Sequence, residues 1–172
     1  TNMSSMFTDV ENVRELNLSN FNTSKVYDLN NMFSGMKKLE KVTFGPNFST
    51  SRVNDMGRMF SRLPKLKTLD LSNFDTNNVT DMSSMFSYDI TLNDLKLGPN
   101  FTTEKVTDMA YMFAGICDLS SIDLSTFNTP RLRRVSDMFS LIDEDDQLVT
   151  CPNGDKLQKI YAVNDFNISK IR

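Results

Sequence analysis

The chain has 172 residues and 39% of them are apolar, enough for one domain of ordinary size with a buried core. Its net charge of −3 gives no electrostatic reason to expect nucleic acid or an anionic membrane as partner. It has no His, which removes the commonest general base and metal ligand, and its two Cys are too few for a four-Cys zinc site.

From the first residues onward one pattern recurs. Met-Phe pairs stand at Met6-Phe7, Met32-Phe33, Met59-Phe60, Met85-Phe86, Met112-Phe113 and Met138-Phe139, at steps of 26, 27, 26, 27 and 26 residues. A fixed period of this length marks a solenoid, in which each turn buries its apolar face only against its neighbours. Thr1 falls inside a repeat and no signal peptide precedes it, so further repeats or a cap are expected N-terminal to Thr1.

Each period has three parts. The first is V-x-x-M-x-x-M-F, as in Val79, Met82, Met85 and Phe86. Its apolar spacing of i, i+3, i+6 and i+7 predicts a short helix or a run of 3₁₀ turns. Asp55, Asp81 and Asp108, each just before a Met, suit a cap or first-turn position. Ten of the 11 Met occupy core positions, where Met fills gaps and meets Phe rings.

The second part is L-x-x-L-x-L, as in Leu66, Leu69 and Leu71, whose alternation is that of a strand with one face inward. It predicts one parallel sheet of at least six short strands, near 15–18, 41–44, 68–71, 94–97, 121–124 and 159–163. The third part is a turn ending in Phe. It alternates between a short form, "LSNF" at Leu18 and Leu71, and a form one residue longer, "FGPNF" at Phe44 and "LGPNF" at Leu97. The deeper unit is therefore read as a 53-residue pair of turns. The fold class expected is α/β: a right-handed leucine-rich-repeat solenoid with parallel strands on one wall and short helices or 3₁₀ turns on the other.

After Phe139 the rhythm fails. Two readings stand. In the preferred one, 140–155 is an acidic insertion before a sixth strand, with Leu157, Ile160 and Ala162 in the apolar positions and Phe166 in the turn. In the other, "QLVTC" and "KLQKIYAV" form a β-hairpin about Asn153-Gly154. The chain then divides into a solenoid over 1–139, of five to six turns, and a C-terminal cap over 140–172. Under the insertion reading Cys117 and Cys151 both precede strands of adjacent turns, and a disulfide between them is sterically open. Under the hairpin reading it is not. "DEDD", Asp143 to Asp146, lacks the ligand spacing and Gly of an EF-hand and reads as a solvated acidic loop.

The outward side chains of the strands offer a charged surface: Glu15, Lys41, Asp70, Asp94, Lys96 and Asp123. Opposite charges on adjacent strands read first as cross-strand pairs and second as a polar ligand surface. Tyr88 and Tyr111 on the Met-Phe arc, with Arg131, Arg133 and Arg134, form a second candidate contact surface. The plainer reading there is a solvated one.

"LDLSNFDTNNVTDMSSMF", Leu69 to Phe86, resembles the BspA-like leucine-rich-repeat family of bacterial surface proteins, whose consensus is similar to "LxxLDLSNFDTSNVTNMSxMFxxC". The likeness runs through residues 1–140. The family's Cys after Met-Phe is mostly absent: Val10, Met36, Leu63, Asp89 and Ile116 stand nearest to it, and Cys117 lies one residue further on. The resemblance implies an exported protein at the bacterial cell surface, with a role in adhesion or host interaction. The expected function is thus a non-catalytic binding module for a host protein or glycan, with no cofactor and no metal. The alternative is a structural spacer presenting another domain. Seven Asn-x-Ser/Thr sequons fall within the repeat, where glycosylation would crowd packed turns, which favours a bacterial source.

Overall fold

The computed structural model of the chain describes residues 1–141 and 148–162. The acidic run Asp143–Asp146, Val163 at the end of the expected sixth strand, and Phe166 lie outside the described residues.

Six four-residue strands form where alternation placed them: β1 (Glu15–Leu18), β2 (Lys41–Phe44), β3 (Thr68–Leu71), β4 (Asp94–Leu97), β5 (Ser121–Leu124) and β6 (Lys159–Ala162). They pair in parallel, one repeat apart, but only in twos: β1 with β2, β3 with β4, β5 with β6. Among the described residues no backbone hydrogen bond joins β2 to β3 or β4 to β5. The 53-residue unit is therefore physical. The longer turn falls between the second strand of one pair and the first of the next, and its extra residue displaces the strand that follows. The longer turn also needs its Gly. A Cβ on Gly45 would lie 2.1 Å from the Ser19 carbonyl oxygen, and one on Gly98 would lie 2.0 Å from that of Ser72.

The Met-Phe wall departs from expectation. No helix forms there among the described residues. Each segment is a chain of tight turns, with positive φ at the residue before the Met (Ser5, Asn31, Arg58, Ser84, Tyr111, Asp137) and two after the Phe in five of the repeats (Asp9, Gly35, Arg62, Tyr88, Gly115). The hydrogen bonds explain why. Alternate N–H groups donate to the i−3 carbonyl, as Met59 to Met56 and Ser61 to Arg58. The others donate to the next repeat: Met56 to Asp81, Arg58 to Ser83, Phe60 to Met85 and Arg62 to Ser87. A helix would spend every N–H on its own carbonyls and leave none for the neighbour. The left-handed conformation costs a non-Gly residue about 1–2 kcal/mol, and the inter-repeat bonds it sets up, at about 0.5–1.5 kcal/mol each, offset that cost.

The same four-bond pattern recurs from the first repeat to the last, as Met3 to Asp28 at one end and Gly115 to Ser140 at the other. Parallel bridges run unbroken through Asn2, Asp28, Asp55, Asp81, Asp108 and Arg134. The continuous ladder of the molecule is thus the Met-Phe wall, and the strand wall is interrupted.

Between the walls lies one apolar core. Phe7, Phe33, Phe60, Phe86, Phe113 and Phe139 form a single column of stacked rings, with centroids 5.3–6.0 Å apart. Nine Met are fully buried, while Met3 and Met6 of the first repeat are not. A buried Thr column closes the third corner. Thr23, Thr50, Thr76 and Thr103 each donate their hydroxyl to a carbonyl of the next repeat, at 2.6–2.9 Å.

At the C-terminal end β6 runs parallel to β5, with Ser121 opposite Lys159, Ile122 opposite Ile160 and Leu124 opposite Ala162. Among the described residues no bridge joins 148–151 to β6, as the hairpin alternative would require, and Gln147 of its first arm lies outside them. Cys117 and Cys151 are joined in a disulfide with Cα atoms 5.4 Å apart. Lys156 N–H donates to the Cys117 carbonyl, and its ammonium pairs with Asp118 at 2.7 Å.

Candidate functional site

The strand wall places its charged residues outward, and register decides which of them meet. Glu15 stands opposite Lys41 and Asp70 opposite Lys96, each pair of opposite sign. Asp94 stands opposite Thr68, and Asp123 opposite Tyr161. Lys96 and Asp123 lie on β4 and β5, which do not pair, so the charged row breaks there.

Two of these carboxylates have local work. Asp70 Oδ1 accepts from the Ser72 hydroxyl and from its backbone N–H, and Asp123 Oδ1 accepts from the Ser125 N–H. Both build the short turn after the strand. The Ser72 bonds, more than Lys96, hold the Asp70 carboxyl below its ordinary range. Clefts open at the breaks in the wall. One of about 280 Å³, between β2 and β3, is lined by Phe44, Asp70 and Asn73 among others. Another of about 360 Å³, between β4 and β5, includes Asp94, Asp123 and Tyr161. Glu15, Lys41 and Lys96 line neither of these two.

The Met-Phe wall carries the larger feature. Asp28, Asp55, Asp81 and Asp108 stack in one column, each accepting at Oδ1 from the N–H two residues on. These are Asx turns where caps of helices were expected. In the last repeat the column ends in Arg134, whose guanidinium meets Asp108 Oδ2 at 2.8 Å. Beside it, short Ser84 sits between Arg58 and Tyr111 of the flanking repeats. The gap is an open cleft of about 610 Å³, lined also by Asp81, Asp108 and Arg134. Arg58 was not singled out by the sequence. Its signal was its place in a column whose next member is Ser84.

Tyr88 lies one turn away under Arg62, the guanidinium 5.4 Å from its ring centre, and is not part of that cleft. Asp89 follows it and is completely buried, in a column with the buried Met36, Leu63 and Ile116 of other repeats. Its Oδ1 accepts from Leu63 N–H at 2.9 Å, while its Oδ2 has no partner. Burial pushes its carboxyl well above the ordinary range, and the Leu63 hydrogen bond opposes this only in part.

Among the described residues no group of three or more His, Cys, Asp or Glu is arranged to hold a metal ion, and no helix is long and apolar enough to cross a membrane. No curated protein and no solved structure matches the chain. The family described as a Mycoplasma protein of unknown function, DUF285, matches twice, over residues 1–96 and 66–163, the double match of a chain that repeats itself. These matches take in most of the sequence, and the chain belongs to the DUF285 family.

Proposed function

We propose that the chain is a non-catalytic binding module displayed on a bacterial cell surface, folded as a right-handed leucine-rich-repeat solenoid of the BspA-like kind. Its partner is a host protein or glycan. The stacked repeats supply a long, stiff surface, and the absence of His leaves the chain without the commonest general base. The observation that carries the reading is the cleft between Arg58 and Tyr111. It brings Arg, Tyr and carboxylate side chains together in one recess of the Met-Phe wall. Interface hot spots are enriched in Tyr and Arg and lie in such recesses.

A spacer that merely separates other domains needs no such recess. A screen of the purified chain against glycan and extracellular host-protein arrays tests the choice. The module reading expects a ligand that Tyr111→Ala releases while the melting temperature holds. A chain that retains nothing in either array is a spacer.

A further inference from the structure

Next to the Asp column runs a second cleft of about 600 Å³, and its lining is basic: Lys105, Arg131 and Arg133, with Thr80, Thr107 and Leu132. No carboxylate lines it, on a chain whose net charge is −3. Of the acids beside its lining residues in sequence, Asp81 accepts at Oδ1 from Ser83, Asp108 is held by Arg134, and Glu104 is not in the lining. The cations are in register. Arg133 N–H donates to the Thr107 carbonyl and Thr107 N–H to that of Thr80, so Thr80, Thr107 and Arg133 form one column. Lys105 and Arg131 stand at equivalent places in their repeats, about 5 Å apart as adjacent chains in a ladder are. Lys105 Nζ is tethered to Asn78 Oδ1 at 2.6 Å, while Arg131 and Arg133 are exposed.

The threonines narrow the ligand. Thr107 Oγ1 donates to the Thr80 carbonyl at 3.1 Å, and Thr80 Oγ1 donates to that of Asn54 at 3.0 Å. With their protons committed to the backbone, both hydroxyls face the cleft as acceptors. The matching ligand brings anions to the three cations and hydroxyl donors to the threonines on successive units of one chain. We infer that this cleft binds an acidic polysaccharide, through sulfate or carboxylate groups on Lys105, Arg131 and Arg133 and sugar hydroxyls on Thr80 and Thr107. The inference rests on the binding-module reading and gives it a ligand class and a second place on the surface.

Calorimetric titration of the chain with a heparin octasaccharide, its desulfated form and a hyaluronan octasaccharide separates sulfate from carboxylate recognition. Polyglutamate and duplex DNA of matched charge are the comparison arms. An acidic saccharide is expected to bind more tightly than either. Arg131→Ala/Arg133→Ala should weaken it at least about tenfold and lower the slope of log K against log salt by about two. Lys105→Gln should lower that slope by about one, and Thr107→Val should weaken binding with the slope unchanged. Lys41→Ala/Lys96→Ala, of equal charge change on the strand wall, should bind as the parent does. Equal affinity for polyglutamate or DNA, or an equal loss in the strand-wall variant, reduces the cleft to a general polyanion patch and overturns the inference. So does a chain that binds another ligand but no acidic saccharide, and in that case the module reading survives. A chain that binds nothing overturns both.

Discussion

Arg134 occupies the position that Asp28, Asp55, Asp81 and Asp108 hold in the repeats before it, and its guanidinium lies 2.8 Å from Asp108 Oδ2. Stacked carboxylates repel, and a cation at the end of the row compensates for that repulsion where it is least shared. The Arg134 side chain is 69% exposed, so its pair with Asp108 is worth no more than about 1 kcal/mol.

Arg134→Asp should therefore lower the melting temperature more than Arg134→Ala does. The difference between the two should shrink as salt rises, because screening weakens the added repulsion. Thermal melts of both variants at low and at molar salt give the comparison, and a salt-independent difference would point to packing instead.

Phe86 stacks between Phe60 and Phe113, with centroids 6.0 and 5.4 Å away and rings within 8° of parallel. Phe86→Ala should cost about 3–5 kcal/mol. In a linear array the loss falls mainly on the adjoining repeats. Hydrogen exchange should accelerate in the third, fourth and fifth repeats before the first. A melt superimposable on the parent's would refute the claim that the ring column holds the stack together.

Asp89 makes stability depend on pH. Its folded carboxyl ionises well above its unfolded value, so burying it is tolerated below about pH 4, where the unfolded carboxyl is also protonated. The tolerance is lost as pH rises through the folded value, because the unfolded chain then gives up its proton more readily. Asp89→Asn keeps an acceptor for Leu63 N–H and cannot ionise. It should match the parent in acid and exceed it at neutral pH. Equal pH profiles would show that the fold does not raise the Asp89 carboxyl above its unfolded value.

The Cys117–Cys151 disulfide spans 34 residues and pins the segment before β6 to the fifth repeat. In the chain-entropy model a loop of that length contributes about 3–4 kcal/mol. Thiol titration of the denatured, unreduced protein should find no free thiol. Reduction should loosen β6 while leaving the first four repeats protected.

Strand positions were legible because Leu16-x-Leu18 and Leu69-x-Leu71 alternate as only an extended segment can. The 53-residue unit was legible too, from one extra residue in "FGPNF" and "LGPNF", but the break of the sheet into pairs of strands was not, because a period does not say how far one added residue displaces the next strand. The Met-Phe wall was not. Apolar residues at i, i+3, i+6 and i+7 suit consecutive tight turns as well as a helix. The sites that settle the matter carry Ser5, Asn31, Arg58, Ser84 and Tyr111, which do not advertise a positive φ. Gly35 and Gly115, two after the Phe, were the visible signal. The opposed charges Glu15–Lys41 and Asp70–Lys96 followed from period and alternation alone. The gap at Ser84 did not, because a cleft depends on the sizes of three neighbours in a column and on which way that column faces.

Backbone hydrogen exchange of the intact chain, resolved by residue with NMR, tests most directly the claim that the repeats are joined continuously through the Met-Phe wall and only in pairs through the strands. The amides of Phe33, Phe60, Phe86 and Phe113 donate to the Met carbonyls of the next repeat and should exchange slowest. The amides of Thr68 and Asp70 face the unpaired side of β3 by the alternation of a parallel ladder, and should exchange markedly faster than those of Leu69 and Leu71. Uniform protection along β3, or fast exchange at the four Phe amides, would contradict the account.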